Sequence, residues 1–398
     1  MADGKMTRLE ELAEELRKGW RQVYTTKEIV QFWGGSNYPK PFVYFNTKAT
    51  RDTITHFVDG VGDFNPLYRD GDYAKETKYG RVIAPPCFVF SIVAGVTAPA
   101  VRKDIIGWNA GYELEWFRPI CEGDTIDWKA VFPSDLEMKE SKMGGKSLLA
   151  SSETEYTDQG GEAIALCREW TVLVETSKAV EMQKYAGLVK LHEYSDEELR
   201  EIYATQDREV VRGSNLRYWE DVELGEELTP VVHGPLNLAE TLAWLIGCGT
   251  PLCKSDRLYR KIDMYDRVVV DPVTKTKLNL ELIHLDDRVA RMIGIPAAYD
   301  FGIQRVAWLG VLLTNWMGDE GFLWKLRGEF RRFNMTGDTS WCKGKVKRRY
   351  TDNGRYCVDI ECWSENQRGE ITMPGRATVI LPSKENGPVV YPPPQHIT

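Results

Sequence analysis

The sequence predicts an α+β protein built twice from one unit, an apolar helix followed by a meander of long antiparallel strands. The repeat is the first observation behind this. LEWFRPICEGDT (114–125) lines up with GEFRRFNMTGDT (328–339), so Asp124 and Asp338 lie 214 residues apart (338 − 124), as do Gly80 and Gly294 (294 − 80). The second is pattern: after Trp108 and again after Gly318, helical spacing gives way to β-rich runs cut by turn residues.

Residues 7–20 carry Leu9, Leu12, Leu16 and Trp20 at helical spacing. GGSNYPKPFVYFN leads as a loop into a helix over 51–61, and APPCFVFSIVAGV (84–96) reads as an apolar helix whose prolines sit in the first turn. YELEWFRPI, TIDWKAVF, KSLLASSETEYT and AIALCREWTVLVE follow as strands, split by EGD, MGGK and DQGGE. Residues 179–212 form a linker with a helix announced by Ser195 and Glu198, a capping box. LYRDGDYAKETKYG (67–80) then recurs as IHLDDRVARMIG (283–294) with two residues skipped, and the apolar helix as FGIQRVAWLGVLLTNWMG. TSWCKGKVKRRYT, RYCVDIECWSE and ITMPGRATVILP repeat the strands, with an Asn-Gly turn in TDNGR. This divides the chain into an N-terminal helical extension (1–45), a first unit (46–178), the linker, a second unit (213–384) with an insertion at about 252–281, and a tail (385–398).

A 398-residue chain with 42% hydrophobic and 28% charged residues has ample core material. A net charge of −8 argues against general nucleic-acid binding, which needs a basic face. No run of 18 apolar residues exists, and the polar N-terminus does not read as a secretory signal, so neither a membrane span nor export is expected, and the predicted location is cytoplasmic. The eight cysteines fit no zinc spacing and read as reduced, buried thiols.

The stretch GDFNPLYRD (62–70) carries the chemistry. With Phe57, Gly62, Asp63, Asn65, Pro66, Leu67, Asp70, Ala74, Gly80, Ile83 and the following APP, the first half resembles the MaoC-like (R)-specific enoyl-CoA hydratases and dehydratases, whose pattern runs roughly GDxNPLHxDxxxA. The variant NPLYRD…IAPP looks like the fused two-hotdog acyl dehydratases. The resemblance implies a double hotdog, with two sheets side by side in one chain. It implies an Asp and a His that hold one water, which adds to Cβ of a 2-enoyl thioester while the same pair delivers a proton to Cα. Backbone N–H groups at the start of the apolar helix would receive the enolate oxygen. Coenzyme A enters as part of the substrate, and no metal or redox cofactor is implied.

The departures are specific. Tyr68 stands at the histidine position, and Pro85 and Pro86 remove donors at the first helix mouth. In the second half, AWLIGCGTP is expected to place Cys248 where Asp63 stands, after which IHLDDRVA restores His284, Asp286 and Ala290. Gly302 offers an N–H at the second helix start. Three arrangements are open: a second-half site on His284 with a substitute acid, a composite of Asp63 and His284, or degenerate sites. Asp63, Tyr68 and His284 are the catalytic candidates, and Asn65, Cys248, Asp286 and Gly302 would line the site. Against these stand structural readings: Asp63 holding its own turn, His284 satisfied in a core, Cys248 a packed thiol. HGPL (233–236) resembles the family's helix-start motif but precedes the wrong helix.

Lys343, Lys345, Lys347 and Arg349 share a strand face by the period of two, either as a seat for the phosphates of coenzyme A or as a solvated face. The predicted activity is a hydro-lyase on a bulky, branched, aromatic or dicarboxylic enoyl-CoA. A binding subunit of a larger complex and a thioesterase are the rival classes. Homo-oligomers of the double unit are compatible with the sequence.

Overall fold

The computed structural model describes residues 6–25, 46–95, 105–140, 146–175, 191–249, 255–260 and 268–397. Helix α1 (Arg8–Lys18) and strand β1 (Gln22–Thr25) come first. Then follow α2 (Arg51–Val61), the short α3 (Pro66–Arg69) and α4 (Gly71–Lys75), β2 (Ile83–Ala84), a 3₁₀ turn (Pro86–Ser91), β3 (Ile105–Trp116), β4 (Ile120–Cys121), β5 (Asp127–Glu140), β6 (Lys146–Thr157) and β7 (Ala163–Glu175). Helix α5 (Asp196–Asp207) lies in the linker. The second half runs β8 (Val231–His233), α6 (Leu238–Cys248), α7 (Asp256–Tyr259), β9 (Val268–Val270), β10 (Lys277–Asn279), a 3₁₀ turn (Leu280–His284), α8 (Asp287–Met292), α9 (Gly302–Met317), and β11 to β14 (Phe322–Glu329, Ser340–Asp352, Arg355–Asn366, Ile371–Ile380).

Ten strands form one sheet in the order β1-β5-β6-β7-β3-β11-β14-β13-β12-β8. The halves meet where β3 pairs antiparallel with β11, Lys325 opposite Glu115 through Glu329 opposite Gly111. Ion pairs tie the seam, Arg327 to Glu113 at 2.9 Å and Lys325 to Glu115 at 3.4 Å. Strands β7, β11 and the first half of β12 alternate buried and half-buried positions, so each half buries one sheet face more deeply than the other.

The repeat is visible in local chemistry. Asp124 Oδ2 accepts from Cys121 N–H, and Asp338 Oδ2 accepts from Met335 N–H, three residues back in each case. Gly123 and Gly337 donate to Ala49 and Leu236, and Asp124 and Asp338 accept from those same two residues. Helices α2 and α6 end on left-handed Gly62 and Gly249, 187 residues apart (249 − 62). They cross at Gly60 and Gly247, again 187 apart. A Cβ on Gly60 would lie 2.6 Å from Ala243 O, and one on Gly247 would lie 2.4 Å from His56 O. The pseudo-twofold axis passes through this backbone-to-backbone contact, where only glycine lets the helices approach. Asp70 and Asp286 cap α4 and α8 with an offset of 216 (286 − 70), which puts the insertion between them at 29 residues (216 − 187).

One expectation is corrected. The first apolar segment is not a long central helix: among the described residues it is a six-residue 3₁₀ turn, starting at Pro86 with no side-chain cap. Two prolines withhold backbone donors there, and residues 96–104 lie outside the described residues. In the N-terminal extension, of which residues 6–25 are described, the expected amphipathic helix is present and docks on the first half. α1 packs Leu9, Leu12 and Ala13 against Phe132, Leu148 and Leu173, and β1 adds an edge strand to β5, although Trp20 lies past the helix and is exposed. α5 carries the capping box of Ser195 and Glu198 and buries Ile202 and Thr205, not Tyr203. Linker residues 179–190 lie outside the described residues.

Candidate active site

In the first half the GDFNP stretch forms nested caps. Gly62 ends α2 in the left-handed region, Asp63 Oδ1 accepts from Asn65 N–H at 2.9 Å, and Asn65 Oδ1 accepts from Leu67 N–H at 3.0 Å as the cap of α3. Asp63, Asn65 and Tyr68 are all buried. Burial lifts the Asp63 carboxyl to about 7, against the Asn65 N–H that stabilises its charge and with Glu209 adding repulsion. Burial also pushes the Tyr68 phenol well above its ordinary value, with Asp63 adding to the rise. Thr314 of α9 opposes this rise only in part, so the phenol stays protonated and is not a base at neutral pH. A small cavity opens beside Asn65, Tyr68 and Pro86, and Asp63 is not among its lining residues.

In the second half the 3₁₀ turn ends on His284, whose ring stacks on Phe301 at 3.9 Å and meets Tyr299 edge-on at 4.5 Å. His284 Nδ1 lies 2.9 Å from Tyr299 O. A carbonyl only accepts, so Nδ1 carries the proton and Nε2 keeps its lone pair. Burial lowers the His284 pKa, opposed by the charge of Glu281 and the bond to Tyr299, so the ring is neutral at pH 7. Phe301 is also the N-cap of α9 and offers no side-chain acceptor to its first N–H groups. Next to it, a Cβ on Gly302 would lie 2.6 Å from the Phe330 ring, so glycine is required at that contact. The helix start is fixed from behind by the buried pair Arg305–Asp300, with Nε to Oδ2 at 2.8 Å and Nη2 to Oδ1 at 2.5 Å. The structure thus sets His284 against Phe301, the residue before Gly302, and keeps Asp63 in the other half. Asp286 caps α8 and pairs with Arg288.

A family model, the FAS1-like dehydratase domain region, matches residues 22–167. A UPF0336 protein of Streptomyces coelicolor is 31% identical over 146 residues, spanning 35% of this chain and 90% of the relative. One of Thermobifida fusca is 48% identical over 136 residues, 33% of this chain and 84% of the relative. A solved MaoC-like dehydratase superposes with a TM-score of 0.62 at 14% identity, covering 92% of this chain and 99% of the other. A Mycobacterium tuberculosis protein with a double hotdog fold gives 0.54 at 13%, covering 91% and 96%. Over its first half the chain belongs to the UPF0336 family, and its fold is that of the double-hotdog MaoC-like dehydratases.

Two expected site features differ from the sequence reading. Cys248 does not occupy the Asp63 position. The 187-residue offset pairs it with Val61 and Asp63 with Thr250, which lies outside the described residues. Cys248 is a buried thiol whose Sγ lies 3.4 Å from Phe90 O, with its pKa pushed up by burial. The basic strand face is not an open anion seat. Lys343 pairs with Glu365, Lys345 with Glu227 and Lys347 with Glu361, while Arg349 donates to Trp219 O and Glu220 O. A register shift between Val346 and Arg348 also breaks the assumed alternation.

Sequence reasoning missed Glu281, Tyr299 and Phe301. Glu281 is buried in the same 3₁₀ turn, three residues before His284, and its charge acts on both His284 and Tyr299. The i−3 spacing was the available signal. Ring stacking and the accepting carbonyl depend on tertiary placement that no motif encodes.

Proposed function

We propose that this chain is a hydro-lyase that adds water to, or removes it from, the double bond of a 2-enoyl-CoA, with His284 as the base. One observation carries this reading: a neutral imidazole, held by Tyr299 O, lies against the uncapped N-terminus of a buried helix. Nε2 takes a proton from water as the water oxygen bonds to Cβ. The electron pair moves through Cα to the thioester oxygen, where N–H groups of α9 receive it. The imidazolium then returns the proton to Cα and the thioester carbonyl re-forms. Glu281 takes the place of the family's acid by stabilising the transient imidazolium.

Hydration of an activated double bond needs no redox partner, and coenzyme A is part of the substrate. We assign a bulky branched or aromatic acyl group and prefer it to a dicarboxylate. Tyr299 lies 4.7 Å from Phe333, which lies 5.7 Å from Trp108, so the surroundings of His284 are rings and not free cations. No helix of the described residues is long and apolar enough to cross a membrane, and a cytoplasmic location is part of the proposal. Incubation of the purified protein with a panel of enoyl-CoAs tests the assignment. Loss of conjugated absorbance without thiol release is the expected result. Released thiol would make it a thioesterase, and neither signal would leave only a binding subunit.

A further inference from the structure

His284 is held by the two residues that flank Asp300. Tyr299 O lies 2.9 Å from Nδ1, and the Phe301 ring stacks on the imidazole at 3.9 Å. Asp300 between them is 1% exposed. Its Oδ1 accepts from Arg305 Nη2 at 2.5 Å, and its Oδ2 accepts from Arg305 Nε at 2.8 Å and from Asn334 Nδ2 at 3.3 Å. Its backbone N–H donates to Asn334 O at 2.9 Å. Arg305 is buried in turn, and its Nη1 donates to Arg332 O at 3.0 Å.

A two-pronged guanidinium–carboxylate pair fixes direction as well as distance. With the backbone bond to Asn334 it leaves residue 300 little freedom in its two soft dihedrals, so the Tyr299 carbonyl and the Phe301 ring are fixed with it. The repeat shows that the unit forms without this pair. The matching positions in the first half are Pro86 and Ser91 (300 − 214 and 305 − 214), and neither can carry an ion pair. The pair therefore occurs only in the half that has the histidine. The charged groups that act on the ring are Glu281 of the 3₁₀ turn and Asp300, with Arg305 of α9 entering through its pair with Asp300. Both carboxylates favour the protonated ring, against the burial that disfavours it.

We propose that Asp300, clamped by Arg305 and Asn334, is a positioning residue for His284: it fixes the carbonyl and the ring that hold the imidazole in its Nδ1–H tautomer, and its charge supports the imidazolium formed in turnover. The inference rests on the reading of His284 as the base.

Nitrogen NMR of the full chain labelled at histidine, with His284 assigned by the signal lost in His284→Gln, tests it beside turnover. The parent should show the Nδ1–H tautomer. Arg305→Lys keeps the charge and loses the fork. It should admit the Nε2–H tautomer and lower kcat about tenfold, with KM within about threefold. Asp300→Asn should move the His284 titration midpoint to lower pH. Should either variant fail to fold, Asn334→Leu, which removes one bond to Asp300, should still admit some of the second tautomer. An unmoved or raised midpoint in Asp300→Asn, or the Nδ1–H tautomer alone in Arg305→Lys and Asn334→Leu, would overturn the proposal, even with kcat reduced. A parent inactive on every enoyl-CoA would instead defeat the hydro-lyase reading, and the tautomer and midpoint would still decide whether Asp300 positions the ring.

Discussion

Burial drives His284 and Asp63 in opposite proton-binding directions, and each has a measurable consequence. His284 has its pKa lowered from 6.5, so it stays neutral into mildly acid solution. The acid limb of kcat/KM should therefore have its midpoint below 6.5; a midpoint above 7 would mean that another group is the base. Asp63 is raised from 3.8 to about 7. Its folded form binds a proton more tightly than its unfolded form, so its contribution is fully present below 3.8 and lost as pH rises through 7. Asp63→Asn keeps an acceptor for Asn65 N–H and removes this dependence. The variant should gain stability over the parent between pH 4 and pH 8, by on the order of a few kcal/mol at pH 8. Equal melting shifts at both pH values would show that Asp63 is not buried as described. The GD and HxD motifs made both residues legible in sequence. The role of Cys248 was misjudged because a 29-residue insertion follows it, and only the helix caps fix the register there.

Helices α2 and α6 show how an element-level contact escapes sequence reading. The helix over 51–61 was legible and 243–251 was aligned with the stretch that follows it, but nothing in either one announces that Gly60 meets Gly247 across a pseudo-twofold axis. Gly247→Ala places a methyl 2.4 Å from His56 O, against backbone that cannot step aside. We expect a loss of at least ~2 kcal/mol in denaturant unfolding, at the upper end of overpacking costs. A loss below about 0.5 kcal/mol would contradict the packing. The first apolar segment teaches the converse lesson. Its composition reads as a helix, yet Pro85 and Pro86 withhold donors, and Cys87 lies where a side chain on Gly310 of α9 would come within 3.0 Å of its sulfur. A short 3₁₀ turn fits that space. The meander strands were legible because turn residues and period-two burial are local properties.

At the scale of the molecule, the 214-residue repeat implied two copies of one unit, and the β3–β11 pairing joins them into one sheet. That seam leaves neither half with a protected edge when separated. Residues 1–190 and 191–398 expressed apart should self-associate or precipitate through β3 and β11, and co-expressed they should form a 1:1 complex. Stable, monomeric halves on gel filtration would show that the seam is dispensable. Asymmetry between the copies is the central functional claim: the first half keeps the acid behind a tyrosine, and the second keeps the histidine at an open helix start. Turnover of His284→Ala and Asp63→Asn on one enoyl-CoA measures this most directly. His284→Ala should lose a factor on the order of 10² to 10⁴, the range for a lost acid–base group, with Asp63→Asn within about threefold of the parent. An inactive Asp63→Asn beside a fully active His284→Ala would contradict the account and move catalysis to the first half.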